Sequence, residues 1–230
     1  MSMKYYVLAS LVACGFAAGA AQGAAIITFR SGDGGGAAGT PDPFVTVLPG
    51  PVGTGFTSLA AADFAAAQVT SAVFAASNHF WIMTLPADPE AHWINTGIGG
   101  TNEPSGLYAI RIFNPTSFTE ASLDLFYMVD DVLGALSDTE VLTASVYLNG
   151  EPLTATNGQV AGSGDFLQQH QLSFTGLTLN PGENFLYLNA TNLFGLAGII
   201  FSGTFTVVPE PMSLSLLGLG ASGLLFRRRR

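Results

Sequence analysis

The chain has 230 residues, enough for one domain of ordinary size with a sizeable buried core. Hydrophobic residues make up 48% and charged residues 10%, which excludes a wholly disordered chain, and the 28 glycines follow no three-residue period, which excludes collagen. Between Lys4 and Arg227 only Arg30 and Arg111 oppose 16 acidic residues, a net of about −14 that argues against nucleic acid as a partner.

Lys4 is followed by an uncharged, mostly apolar run over residues 5–20 and then by the small residues Gly19-Ala20-Ala21-Gln22-Gly23-Ala24. A basic start, an apolar stretch and a small-residue zone in this order are those of a secretory signal peptide over residues 1–23, cut in the region of Gly23 and Ala24. Leu11-Val12-Ala13-Cys14 offers a second outcome, because it matches the pattern at which bacterial lipoproteins are cleaved and lipidated on cysteine. Cys14 is the sole cysteine, so its removal with the signal leaves no disulfide and no thiolate metal site.

Residues 24–51 form a glycine- and proline-rich lead-in, and within it residues 31–51, with Gly34-Gly35-Gly36, read as a loop with little structure. The body spans residues 52–207. Ser58 is placed to cap a short alanine-rich helix ending near Ala67. Thereafter strands dominate. Residues 107–113 are apolar at most positions, and Leu123, Leu125, Tyr127 and Val129 alternate with Asp124, Phe126 and Met128. Residues 144–148 run into Asn149-Gly150, a strong signal for a tight hairpin. Further strands are expected over 172–174, 185–190 and 199–207, each bounded by Gly, Pro or Asn. With no fixed repeat, the expectation is a mainly β protein built as a single β-sandwich.

Phe80-Trp81-Ile82, His92-Trp93-Ile94, the strand from Leu125 to the paired Asp130-Asp131, Val146-Tyr147-Leu148-Asn149-Gly150, and Pro181-Gly182-Glu183-Asn184-Phe185-Leu186 followed by Asn192 and Gly198 resemble a galactose-binding-like jelly roll. The resemblance implies carbohydrate or calcium binding in some members and a purely structural role in others. This chain departs from it by an insertion over residues 133–143.

Catalytic signatures are scarce. Lys4 is the only lysine, so the body has none for a Schiff base, a Ser-Lys dyad or a phosphate-binding P-loop. Gly97-Ile98-Gly99-Gly100 reads as turn material, and His79, His92 and His170 have no local metal-ligand spacing. No Gly-x-Ser-x-Gly elbow is present. Asp130 and Asp131 project to opposite sides of a strand, which suits them poorly to shared acid/base work. They suit better as weak calcium candidates, with Asp138 and Glu140 nearby; the plain alternative is an acidic surface. Trp81, Trp93, Tyr108 and Tyr147 are expected in the core, with sugar stacking as the alternative. An extracellular hydrolase is a third, weaker reading that requires two carboxylates facing one another across a deep pocket.

The chain ends with Val208-Pro209-Glu210-Pro211, an uncharged run over residues 212–226, and Arg227, Arg228, Arg229 and Arg230. Fifteen helical residues extend about 22 Å, short of the roughly 30 Å hydrocarbon core, so the segment suits transient insertion with the arginines held cytoplasmic as a stop-transfer signal. Residues 208–230 resemble the PEP-CTERM sorting signal of Gram-negative bacteria, also catalogued as an ice-binding protein C-terminal domain. The resemblance implies export by the general secretory route and processing near Pro209, Glu210 and Pro211 by an exosortase in the inner membrane. Release, or attachment to the cell surface or extracellular polysaccharide, then follows. A plain tail anchor is the alternative. The combined expectation is a non-enzymatic surface or matrix protein without a cofactor, with a lectin-like module as the alternative.

Overall fold

The structure, a computed structural model, describes residues 23–76, 81–99, 102–134, 136–137, 140–141, 144–157 and 165–209. The expected signal peptide up to Gln22, with Cys14, therefore lies outside the described residues, as do His79, Phe80, Asp138, Glu210, Pro211, the apolar segment and the four arginines.

The strands in chain order are β1 (Ala25–Arg30), β2 (Pro41–Pro49), β3 (Ser71–Phe74), β4 (Ile94–Asn95), β5 (Gly106–Asn114), β6 (Glu120–Val129), β7 (Val132–Leu133), β8 (Leu136–Ser137), β9 (Glu140–Val141), β10 (Val146–Leu148), β11 (Glu151–Pro152), β12 (His170–Thr178), β13 (Gly182–Thr191) and β14 (Ile199–Val207). Twelve of them form one antiparallel sheet in the order β11-β10-β13-β5-β2-β3-β4-β14-β6-β12, with β1 on β14 and β7 on β13. The sheet curls on itself, so that β10-β13-β5-β2 forms one layer and β1-β14-β6-β12 the other. This is the mainly β sandwich expected from the sequence.

Strict two-residue alternation decides which side chains meet between the layers. Tyr108, Ile110 and Ile112 of β5 and Leu186, Leu188 and Ala190 of β13 point inward from one side. Leu123, Leu125, Tyr127 and Val129 of β6 and Ile199, Phe201, Phe205 and Val207 of β14 meet them from the other. Each buried Leu, Ile, Val or Phe side chain among them contributes about 1.5–3 kcal/mol. Each layer is also covered outside. Trp81, Leu85, Ala91 and Trp93 lie over Met128 and Ile200, while a helix packs Ala67 beside Leu107, Ala109, Tyr147 and Tyr187.

That helix, α1 (Ala61–Ala67), begins later than the sequence suggests. Ala60, not Ser58, is its first boundary residue, and the Ala60 N–H donates to Asp63 Oδ2 at 2.8 Å. A carboxylate reaching back from the first turn thus takes over the task assigned to the serine hydroxyl. Phe64 anchors the helix, its ring 4.8 Å edge-on from that of Tyr187.

Two more expectations change. The loop expected over residues 31–51 contains β2, a full strand of the sandwich. Pro41 and Pro43 fall where β2 is irregular: the ladder to β5 starts only at Val45, and the β2–β3 register shifts between Pro41 and Thr46. Asp42 bridges this break, accepting backbone N–H groups from Gly32, Phe44 and Val45 at 2.7, 2.8 and 3.0 Å. Trp81 lies in a bend and Ile82 in irregular chain rather than in a strand, because this segment serves as a cover over β6 and β14. The Asn149-Gly150 hairpin is as expected, with φ of 53° and 87° and Leu148 paired to Glu151.

Candidate functional site

Two places bring polar and aromatic side chains together. The first lies on the outer face of β2, β5 and β13, beside the C-terminal end of α1. Because Tyr108, Ile110 and Ile112 point inward, Arg111 and Phe113 must point outward, as must Phe44, Glu183 and Phe185. Phe113 and Phe44 are 59% and 57% exposed. In the β5–β13 register Arg111 stands opposite Phe185 and Phe113 opposite Glu183, and the Arg111 guanidinium pairs diagonally with the Glu183 carboxylate. Together with Gln68, which donates to the Tyr187 hydroxyl at 2.6 Å, these residues line a groove of about 770 Å³. A second hollow of about 510 Å³ adjoins it, sharing Gln68 and Phe185. Exposed aromatic faces alternating with hydrogen-bonding groups can pack against flat, hydroxyl-rich rings.

The second place is where the start of β5, the end of β6, the end of β13 and the start of β14 converge. Asp130 Oδ1 accepts from Trp81 Nε1 at 2.8 Å, and Asp131 Oδ2 accepts from the Leu193 N–H at 2.6 Å. Glu103 is buried, with Ala197 N–H donating to Oε2 at 2.8 Å. Asn192 spends its amide hydrogens on Glu103 O at 2.6 Å and Gly195 O at 3.2 Å. Burial raises the pKa of Glu103 and Asp131, and raises that of Asp130 to about 6, with Asp131 and Glu103 adding to the last. Asp130, Asp131, Thr191 and Asn192 border a cavity of about 10 Å³. Gly198 has no room for a side chain here, since a Cβ would lie 2.8 Å from Trp81 Cη2.

The pleat does send Asp130 and Asp131 to different partners, yet both reach this cavity. Among the described residues no group of three or more His, Cys, Asp or Glu side chains is arranged to hold a metal. The side chain of Glu140, like all of Asp138, lies outside the described residues. His92 lies by Phe74 and His170 by Tyr127, so these two histidines do not converge. Trp81, Trp93, Tyr108 and Tyr147 are all buried, and the two indoles stack with centroids 4.4 Å apart. Among the described residues the exposed aromatics of this groove, Phe44 and Phe113, are phenylalanines that the sequence did not single out; the phase of residues 107–113 was the signal that could have found Phe113.

The two ends of the body lie side by side. Gly23 and Ala24 are exposed and lead directly into β1, whose Ala25 pairs with Val207 at the end of β14. Val208 N–H still donates to Glu120 O at 2.9 Å, and Pro209 is the last described residue.

The last stretch of the chain has a recognised counterpart: residues 207–230 match the family described as the PEP-CTERM protein-sorting motif. The motif indicates export and sorting to the surface or exterior, and it implies an exosortase-type processing partner. No curated protein matches the chain. Among solved structures the chain is similar to the Podospora anserina GH26-CBM35 β-(1,4)-mannanase, at 15% identity and a TM-score of 0.33. The match covers 81% of this chain and 28% of that one, so this chain spans less than a third of that protein's length.

Proposed function

We propose that this is a non-enzymatic protein of the cell surface or extracellular matrix, whose body is displayed after processing at Pro209-Glu210-Pro211. The carrying observation is the sorting-motif match, which starts at the very residue where the folded body ends, Val207. The sandwich thus reaches the sorting signal with almost no spacer, and the processing enzyme meets a proline-flanked glutamate just beyond the last strand. The apolar segment holds the substrate in the inner membrane transiently, and Arg227, Arg228, Arg229 and Arg230 stop its transfer.

Deleting residues 208–230 is expected to abolish retention at the envelope in fractionated cells. An unchanged distribution refutes the sorting role, and full-length, uncut protein recovered from mature cells refutes processing.

The groove favours a second reading, contact with a neutral glycan. Phe44 and Phe113 supply exposed stacking faces, and Gln68, Arg111 and Glu183 supply hydrogen bonds. Glu183 is the one carboxylate lining this groove and is tied to Arg111, while the cavity at Asp130 and Asp131 is too small for a sugar. A glycan array and calorimetric titration of the protein and of its Phe113→Ala variant test this. Binding that the variant loses supports it, and silence of the parent protein leaves only the structural role.

A further inference from the structure

The outermost strands of an antiparallel sheet leave a row of backbone groups without a ladder, and folded proteins blunt such edges against unwanted pairing. Two edges of this sheet are blunted. β11 is only two residues long and contains Pro152. On β12 the outer groups are capped: Asn157 Nδ2 donates to Gln171 O at 2.8 Å, Ser173 N–H donates to Asn157 Oδ1 at 3.0 Å, and Thr156 N–H donates to Ser173 O at 2.7 Å. A register break between Phe174 and Leu177 interrupts the rest of that edge.

β1 has none of these devices. Its register with β14 is unbroken over Ala25–Arg30, and it holds no proline, no carboxylate and a single charge, Arg30, at its end. Ser31 N–H donates to Phe201 O at 2.9 Å, the next pair in that register, which fixes the phase of the ladder. Ala25, Ile27 and Phe29 therefore aim their backbone groups at β14, and Ile26, Thr28 and Arg30 aim theirs outward. Among the described residues nothing bonds to that outward row, which ends where Ser31 O accepts from His92 N–H at 2.9 Å. Ile26 is 61% exposed and Thr28 is exposed beside it, while Ala25, Ile27 and Phe29 are only partly buried against the core.

The outward row is symmetric about Thr28. Turned end for end, the same strand offers an N–H to each C=O and a C=O to each N–H: Thr28 meets Thr28, and Ile26 of either copy meets Arg30 of the other. The two guanidinium groups then stand at opposite ends, and the partly buried faces of both copies join into one apolar layer. On a body whose carboxylates far outnumber its cations, a margin free of carboxylate is where a second copy can approach.

We propose that β1 pairs antiparallel with β1 of a second copy, centred on Thr28, so that two bodies share one continuous sheet. The inference goes beyond surface display and stands whether or not the sorting role holds. So short an edge buries less than about 1,200 Å², the class of transient contacts, so the pair forms where copies are crowded and is best read by trapping it.

The purified full chain in detergent carries Cys14→Ser, so that any thiol is an introduced one. At the two-fold axis the paired Cα atoms lie about 5.5 Å apart, within reach of a disulfide, and Thr28→Cys is expected to give a covalent dimer on mild oxidation. Ile26→Cys, on the same face, is expected to cross-link at least about tenfold less, because about four residues at about 3.4 Å each separate it from its counterpart. Thr204→Cys, one strand further in, is expected to stay monomeric, its counterpart lying about three strand spacings of about 4.8 Å away. Adding Ile26→Lys to Thr28→Cys sets an ammonium opposite Arg30 of the second copy. Cross-linking is then expected to fall at least about fivefold, with the melting temperature unchanged because the substituted side chain is exposed. A Thr28→Cys chain that stays monomeric on oxidation overturns the proposal. So does equal cross-linking at all three positions, which marks random collision or association through the apolar tail, and so does cross-linking that Ile26→Lys leaves unchanged.

Discussion

The seam between β1 and β14 offers a sharp test of how the body holds its ends together. Gly203 sits inward on β14, opposite Phe29 of β1, and the Phe29 ring occupies the space that a side chain at 203 would need. A Cβ on Gly203 would lie 2.3 Å from Phe29 Cζ, more than 1 Å inside ordinary contact distance. Phe29 also packs on Phe205 and Phe201, at centroid distances of 5.9 and 6.3 Å. Phe29→Ala removes a half-buried ring and is expected to cost about 2–3 kcal/mol, below the 3–5 of a fully buried phenylalanine. Gly203→Ala overpacks the seam and is expected to cost about 1–3 kcal/mol. In the double variant the clash is gone and the new methyl partly refills the gap. Its cost should therefore fall short of the sum by about 1–2 kcal/mol. Urea denaturation followed by tryptophan fluorescence measures all three. Additivity to within about 0.5 kcal/mol would show that the ring and the missing side chain do not share one space, and would refute the reasoning.

Removing Asn149 should loosen the β10–β11 hairpin, since its amide accepts from Phe185 N–H and donates to Asn184 Oδ1, both at 2.9 Å, from a left-handed φ of 53°. Asn149→Ala is expected to cost about 2 kcal/mol in denaturation and Asn149→Gly somewhat less, because glycine restores the backbone freedom but not the bonds. Stability should decline with rising pH. Asp130 is raised from 3.8 to about 6, with Asp42, Glu103 and Asp131 raised too, so the folded state holds extra protons in that window. The Asp130 contribution, present at low pH and lost on passing pH 6, is expected to be about 1–2 kcal/mol after allowance for solvent screening. A melting temperature rising steadily from pH 4.5 to 7.5 would contradict this. Gly198→Ala is expected to disturb the cover formed by Trp81 and Trp93, and the fluorescence of the stacked pair reports it; an unchanged spectrum and stability would refute that packing.

The sequence exposed different parts of this molecule to different degrees, for physical reasons. Local signals were legible: Asn149-Gly150 forces positive φ, and the alternation in β6 and the run in β14 mark buried strands. The sorting signal was also legible, because proline, apolar length and arginine charge are all contiguous in the chain. Effects set by distant partners were hidden. Pro41, Pro43 and Pro49 announce a loop, yet β5 recruits residues 45–49 and Asp42 replaces the missing ladder bonds. Trp81 and Trp93 look like strand residues, but their indoles are needed as a lid. The aspartate pair was visible; that Thr191 and Asn192 join it depends on a 60-residue excursion closing at one end of the sandwich.

Charge narrows what the displayed body can meet. About −14 over the central stretch repels anionic polymers, and its two arginines are both occupied by carboxylates. A polyanionic matrix could therefore be held only through bridging divalent cations, whereas a neutral glycan can approach the Phe44–Phe113 face directly. On that face the charges of Arg111 and Glu183 are paired with one another beside the two rings. An uncharged partner thus meets no unpaired charge among the residues that line the aromatic groove.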